Sequence, residues 1–264
     1  RRPWCSRTLS YRRVRDVFLR GPSNAQALLR QRALLVARHA THAAHARHAA
    51  HARHAAHARH APRAAPAAPA AVAVQVTPET YIRAESDRQF GNIVKMAGGV
   101  NRFFHFRSPT PLDKQNVVRM NRDTLYSMAI VDTSKGATIT VPELPADRYV
   151  SVYLADNDHY CPGVIYTAGK HELARDTKYL ALGIRIQVID PSNAEEVAKI
   201  NALQDQFVIE AASADPLPDF KWDMDSLKAL TVAYEKESAN YASFKGMQGP
   251  RGKVDEKTRH VAAA

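Results

Sequence analysis

The chain has 264 residues, 37 of them basic and 26 acidic, with a formal net charge of +11. Fourteen Arg and a single acid, Asp16, fall in residues 1–76, which leaves 23 basic and 25 acidic residues in 77–264 and a net charge there of −2. That balance argues against nucleic acid as a partner of the larger part, since phosphate neutralisation dominates such affinity, and no stretch approaches the length of a membrane span.

Residues 1–76 predict a low-complexity segment without a packed core. In its middle His39, His42, His45, His48, His51, His54, His57 and His60 recur every third residue among Ala and Arg. So few large side chains cannot offset the entropy of ordering, and disorder is expected. Three readings compete. The imidazoles, chiefly His45, His48, His51, His54, His57 and His60, can converge on zinc, copper or nickel. Arg47, Arg53 and Arg59 can make the tract a polycation for phosphate or anionic lipid. The perfect repeat His-Ala-Arg-His-Ala-Ala also fits a GC-rich simple repeat, or a stretch read in the wrong frame or from upstream of a true start, position 1 being Arg and not Met. Ala71-Val72-Ala73 has the small-residue pattern of a signal-peptide cleavage site but no apolar region before it. Cys5 and Cys161 imply no disulfide framework.

From residue 77 the local signals agree with one another. Thr77, Pro78 and Glu79 predict a helix start, and Ile82, Phe90, Ile93, Val94 and Ala97 follow at near-helical spacing up to the stop at Gly98-Gly99. Residues 101–120 read as irregular. Strand-like runs come next at 124–132, 137–142, 148–156, 163–168 and 179–189. In the last, Leu180, Leu182, Ile184, Ile186 and Val188 predict a core face, and Ala181, Gly183, Arg185 and Gln187 a wet one. The short turns Ser134-Lys135-Gly136 and Pro145-Ala146-Asp147 predict that consecutive strands are antiparallel neighbours. Ser192-Asn193-Ala194-Glu195 reads as a capping box opening a helix through about Ala212, and a second helix is expected from about Asp225 to Tyr241. The chain closes on Asp255–Thr258, the start of a further helix, and then Val261–Ala264, which predicts a missing C-terminal part. The expectation is a mainly β plus α protein: residues 77–190 an N-terminal helix and antiparallel β-sandwich, and 191–264 a helical unit.

The run Val118-Arg119-Met120-Asn121-Arg122-Asp123-Thr124-Leu125-Tyr126-Ser127, then Val141-Pro142, Arg148-Tyr149-Val150-Ser151-Val152-Tyr153 and Asp156, resembles the bacterial family called domain of unknown function 1254, over residues 77–264. The resemblance implies an immunoglobulin-like sandwich followed by a small helical unit, and a signal peptide that places the protein in the periplasm or outside the cell. It also implies a second β domain downstream, domain of unknown function 1214, as the normal partner; both ends of this chain depart from that pattern. It implies no reaction.

Two clusters can carry function. Asp156, Asp158 and His159, in a loop at a strand end, are candidates for a carboxylate and imidazole metal site or for an acid/base pair in which a carboxylate raises the His pKa, as in a hydrolase-type enzyme. They equally fit a loop whose acids satisfy turn amides. Asn121, Arg122, Asp123, Thr124 and Tyr126 are candidate ligand contacts, with a structural role at the start of a core strand as the other reading. Arg102, Arg107, Arg119 and Arg122 lie near Phe103, Phe104 and Phe106, aromatics expected to close the sandwich. No phosphate loop, nucleophile elbow, paired-Cys motif or His-Glu-x-x-His is present. Two functions stand: an exported module binding a small molecule or partner, and an enzyme of the metal-assisted or acid/base kind. A weaker third, metal binding by His39–His60, predicts micromolar zinc or nickel affinity in a 39–60 peptide, and calorimetry showing no binding would end it.

Overall fold

The computed structural model describes residues 73–110, 121–146 and 148–264. The His39–His60 array, Ala71-Val72 and Arg119 lie outside the described residues. In chain order the elements are α1 (Tyr81–Ala97), β1 (Phe103–His105), β2 (Thr124–Asp132), β3 (Ala137–Val141), β4 (Val150–Asp156), β5 (Val164–Ile165), β6 (Gly169–Glu172), β7 (Tyr179–Gln187), α2 (Ala194–Gln204), β8 (Val208–Ala211), α3 (Met224–Glu237), a 3₁₀ turn (Ser238–Asn240) and α4 (Arg259–Ala263). The strands form two antiparallel sheets, one of order β1-β2-β7-β4-β5 and one of order β6-β3-β8.

Period-two alternation decides which side chains meet. Leu125, Ala129 and Val131 of β2, Val150, Val152 and Leu154 of β4, and Leu180, Leu182, Ile184 and Ile186 of β7 share one core with Ala137, Ile139 and Val141 of β3. Ile200 of α2 and Phe207 join it. Each such aliphatic chain taken from water contributes about 1.5–3 kcal/mol, so the facing of the two sheets is the main source of stability. The opposite face of the larger sheet is also used: Phe90 and Ile93 of α1 pack on Met128, Ile130, Tyr179 and Ala181. The face of β7 expected to be wet is therefore covered at one end, because a helix lies on it.

Several sequence expectations are corrected. Short turns do not join neighbours within a sheet: Thr133–Gly136 carries the chain from β2 in one sheet to β3 in the other, and β2 pairs instead with β7, from Thr124↔Gln187 to Asp132↔Tyr179. The run 163–168 is a strand only at Val164–Ile165, and a further strand follows it at Gly169–Glu172. Val164–Ile165 belongs to the larger sheet and Gly169–Glu172 to the smaller, and Gly169 takes a φ of 110°, which glycine tolerates at such a change of direction. The first helix begins at Tyr81, because the Thr80 hydroxyl accepts from the Thr77 amide at 2.9 Å and holds residues 77–80 as a turn. Phe103–His105, read as irregular, pairs with β2.

The expected helix through Ala212 stops at Gln204, and its last predicted turn becomes β8, which pairs with β3 from Ala137↔Ala211 to Thr140↔Val208. The edge of β3 offers unpaired main-chain groups, and β-branched Val208 and Ile209 suit a strand better than a helix end. The segment after residue 191 is thus not purely helical. Asn193, not Ser192, is the N-cap of α2, accepting from the Glu195 and Glu196 amides. The later helix spans Met224–Glu237, capped by Asp223. Upstream, Val74 forms a parallel bridge with Trp222: its amide donates to Lys221 O at 2.6 Å and its carbonyl accepts from Asp223 N at 2.7 Å. No helix among the described residues is long and apolar enough to cross a membrane.

Asp132, fully buried at the end of β2, ties distant segments together. Its carboxylate accepts from the Ser134 amide (3.0 Å) and hydroxyl (2.6 Å), the Ser213 hydroxyl (2.6 Å) and the Asp215 amide (2.9 Å). Burial alone would raise its pKa, but these donors outweigh it and bring the carboxyl down to about 2. The stabilisation is complete above the ordinary value of 3.8 and is lost as pH falls through about 2. Asp132→Asn is expected to lower unfolding free energy at pH 7 by about 2 kcal/mol in urea titrations, and its deficit should vanish near pH 2.

Candidate functional site

The loop after β4 is built around one buried carboxylate. Asp156 accepts through Oδ1 from the amides of Asp158 and Tyr160, each at 2.9 Å, and through Oδ2 from Arg251 at 2.7 Å. Asp158 accepts from Arg83 of α1 at 3.0 Å and from Arg251 at 2.6 Å. Asn157 donates to Asp87 of α1 at 2.8 Å, and Asp87 also accepts from the Trp222 indole at 3.0 Å. Tyr160 lies between two guanidiniums, Arg251 at 4.2 Å and Arg259 at 3.8 Å from its ring centroid. The loop is therefore a clasp joining α1, β4 and the C-terminal segment.

In that geometry the His159 pKa shifts in the direction opposite to the one expected from a nearby carboxylate. Burial pushes Asp156 up, against the Tyr160 amide and Arg251. Asp158 is also raised by burial, but Arg251 and Arg83 outweigh this and hold it below the ordinary carboxylate range. His159 is not raised by a carboxylate. Burial, with the Arg259 charge beside it, drops it to about 4, and its Nε2 faces the Gln248 amide at 3.4 Å. It sits in the left-handed region with φ 65°. Among the described residues no group of three or more His, Cys, Asp and Glu converges as a metal ligand set.

The second cluster lies on the outer face of the larger sheet. Asn121 opens β2 with an Asx turn, its Oδ1 accepting from the Asp123 amide at 3.0 Å. Its Nδ2 donates to the Thr124 hydroxyl and to the Tyr126 hydroxyl, each at 3.2 Å. Alternation places Thr124 and Tyr126 opposite the core face, and the register sets Arg185 of β7 across from Tyr126, with Ser151 of β4 beyond it. The Arg185 guanidinium lies 5.3 Å from the Tyr126 ring centroid and 3.5 Å from Thr124 Oγ1. Asn121, Thr124 and Tyr126 are thus brought together. Asp123 is exposed, its carbonyl accepting from Val188 N at 2.7 Å.

Sequence reasoning singled out this cluster without Arg185. The available signal was a long cation in the middle of the otherwise apolar Leu180–Ile186 run. Its Nε is buried without a hydrogen-bond partner, as is that of Arg122, and neither guanidinium has a carboxylate partner among the described residues. The Nε of Arg148 is likewise unpartnered, but its guanidinium pairs with Glu196 at 2.5 Å, and Arg88 pairs with Glu85 at 2.6 Å. Of the arginines that lie near Phe103, Phe104 and Phe106 in sequence, Arg107 is engaged by Asn201 O, Gln204 and Asp205. Phe103 packs on the core against Phe207, and Phe104 meets Phe106 edge to face at 4.9 Å.

Comparison with known proteins follows these motifs. Residues 100–183 match the family described as protein of unknown function, DUF1254. The match takes in β1 to β7 up to Gly183, a narrower span than the 77–264 of the resemblance. No curated protein matches the chain. Among solved structures, the VPA0106 protein from Vibrio parahaemolyticus is similar at 14% identity and a TM-score of 0.49, over 69% of this chain. The chain spans 63% of the length of that structure.

His159 makes the clasp pH-sensitive. A folded-state pKa of about 4 against an ordinary 6.5 means that its contribution is intact above pH 6.5 and is lost as pH falls toward 4. His159→Asn, which tolerates the left-handed backbone, should remove about 3 kcal/mol of the stability difference between pH 7 and pH 4. Urea midpoints across that range check it, and an unchanged pH slope would contradict the assignment.

Proposed function

We propose that this chain is an exported, immunoglobulin-like β-sandwich module that binds a small molecule on the outer face of its larger sheet. One observation carries the reading: the Arg185 guanidinium holds a desolvated Nε without a hydrogen-bond partner among the described residues, beside the linked polar groups of Asn121, Thr124 and Tyr126. Burying part of a cation costs free energy unless something compensates it, and a bound polar molecule would. Export and a following second β domain rest on the family resemblance of the Asn121–Ser127 and Arg148–Asp156 segments.

The metal-assisted or acid/base alternative has less support. The carboxylates it needs, Asp156 and Asp158, are already engaged by Arg83 and Arg251. On the binding reading, a thermal-shift screen of small polar compounds on the full chain gives stabilising compounds. Their effect should be lost in Arg185→Ala and weakened about tenfold in Tyr126→Phe, a loss of about 1.4 kcal/mol. Compounds that stabilise Arg185→Ala as well as the parent chain would place binding elsewhere.

A further inference from the structure

The outer face of the larger sheet has a composition that narrows its ligand. Around Arg185 the strand alternation gathers aromatic side chains from three strands and their ends. Phe104 of β1 pairs with Met128 on this face, Tyr126 lies directly across from Arg185, and Tyr153 of β4 faces Gly183. Tyr149 precedes Ser151 by two residues, and Tyr166 follows inward-facing Ile165, which puts both on the same side; their rings stand 6.3 Å apart. Tyr149 and Tyr166 are 44% and 58% exposed, so their faces are open to a ligand. At the centre Arg185 makes, among the described residues, one long hydrogen bond to Thr124 Oγ1 and lies over the Tyr126 ring, and it sits beside a position, Gly183, that carries no side chain.

Resting on the binding reading above, we propose that this face takes a carboxylate carried on a ring. Arg185 pairs with the carboxylate, and the tyrosines hold the ring. A guanidinium presents a planar fork of donors that matches the two oxygens of a carboxylate. Removing both from water in a site without a competing acid among the described residues makes the pair strong, because no carboxylate of those residues must first be displaced. Tyrosine rings supply flat contact area at low entropic cost and leave their hydroxyls for polar substituents. Asn121 and Thr124 act as positioning residues: Asn121 orients the Tyr126 hydroxyl, and Thr124 holds the guanidinium.

Calorimetry or ligand-observed NMR on the full chain tests this with two matched pairs: benzoate against benzamide, and D-galacturonate against D-galactose. The expected result is that at least one acid binds and that its neutral partner is at least tenfold weaker. Arg185→Gln should abolish the preference, and Arg185→Lys should restore it only in part, since an ammonium lacks the fork. Preference for benzoate would assign an aromatic acid, and preference for galacturonate an acidic sugar; either supports the proposal. Equal binding of acid and neutral partner, lost in Tyr126→Ala, would overturn the carboxylate assignment while leaving the binding face in place. Absence of binding by all four, with hits from the wider screen insensitive to Arg185→Ala, would overturn both. Circular dichroism of each variant separates lost binding from lost folding.

Discussion

The architecture depends on β2 and β7 being apolar on both faces along part of their length. One face of each meets the smaller sheet, and the end of the other face formed by Met128, Ile130, Tyr179 and Ala181 meets α1. A strand pair buried on two sides has a strongly specified register, since a slip by one residue would exchange every inward and outward side chain. The same constraint defines the candidate site. Beyond the end covered by α1, the outward positions become Thr124, Tyr126, Arg185 and Ser151, a polar patch fixed by the same ladder that fixes the core.

The loop 156–160 illustrates how two uses of the same residue types are separated by context. Two acids and a histidine within four residues are compatible with chemistry. Here the acids complete a turn and anchor two arginines from distant parts of the chain, and burial with the Arg259 charge shifts the histidine's pKa down. The deciding partners, Arg83 and Arg251, are 75 and 93 residues away from Asp158 in sequence. No inspection of the loop alone could have supplied them.

The strands and the first helix were legible where alternation or helical spacing ran long: β2, β3, β4 and β7 lie within their expected spans, and Gly98 closes α1. Pairing was not legible. Tight connections near Ser134 and Ala146 look like hairpins in sequence, but they cross between sheets, a choice made by which faces can bury against each other. Short elements were lost for a related reason. Phe103–His105 and Val208–Ala211 are too brief to show a period and become strands because β2 and β3 offer free edges. At the site, Asn121, Thr124 and Tyr126 were visible as a dense polar motif. Arg185 was not, because its meaning depends on standing opposite Tyr126, from which it is 59 residues away in sequence.

The parallel bridge of Val74 with Trp222 also has a practical meaning. Charge and composition place the divide in this chain at residue 76, but the backbone is already committed two residues earlier. Val74 supplies both hydrogen bonds that flank Trp222, and the Val76 amide donates to Ser226 in the first turn of α3. Cutting at Val76-Thr77 would strip those partners from the Asp223 cap and uncover the small cluster of Val76, Tyr81, Ala84 and Leu227. A joint for a fusion partner, or an engineered protease site, therefore belongs upstream of Ala73, where it leaves the lead-in to α1 attached to the helix it braces.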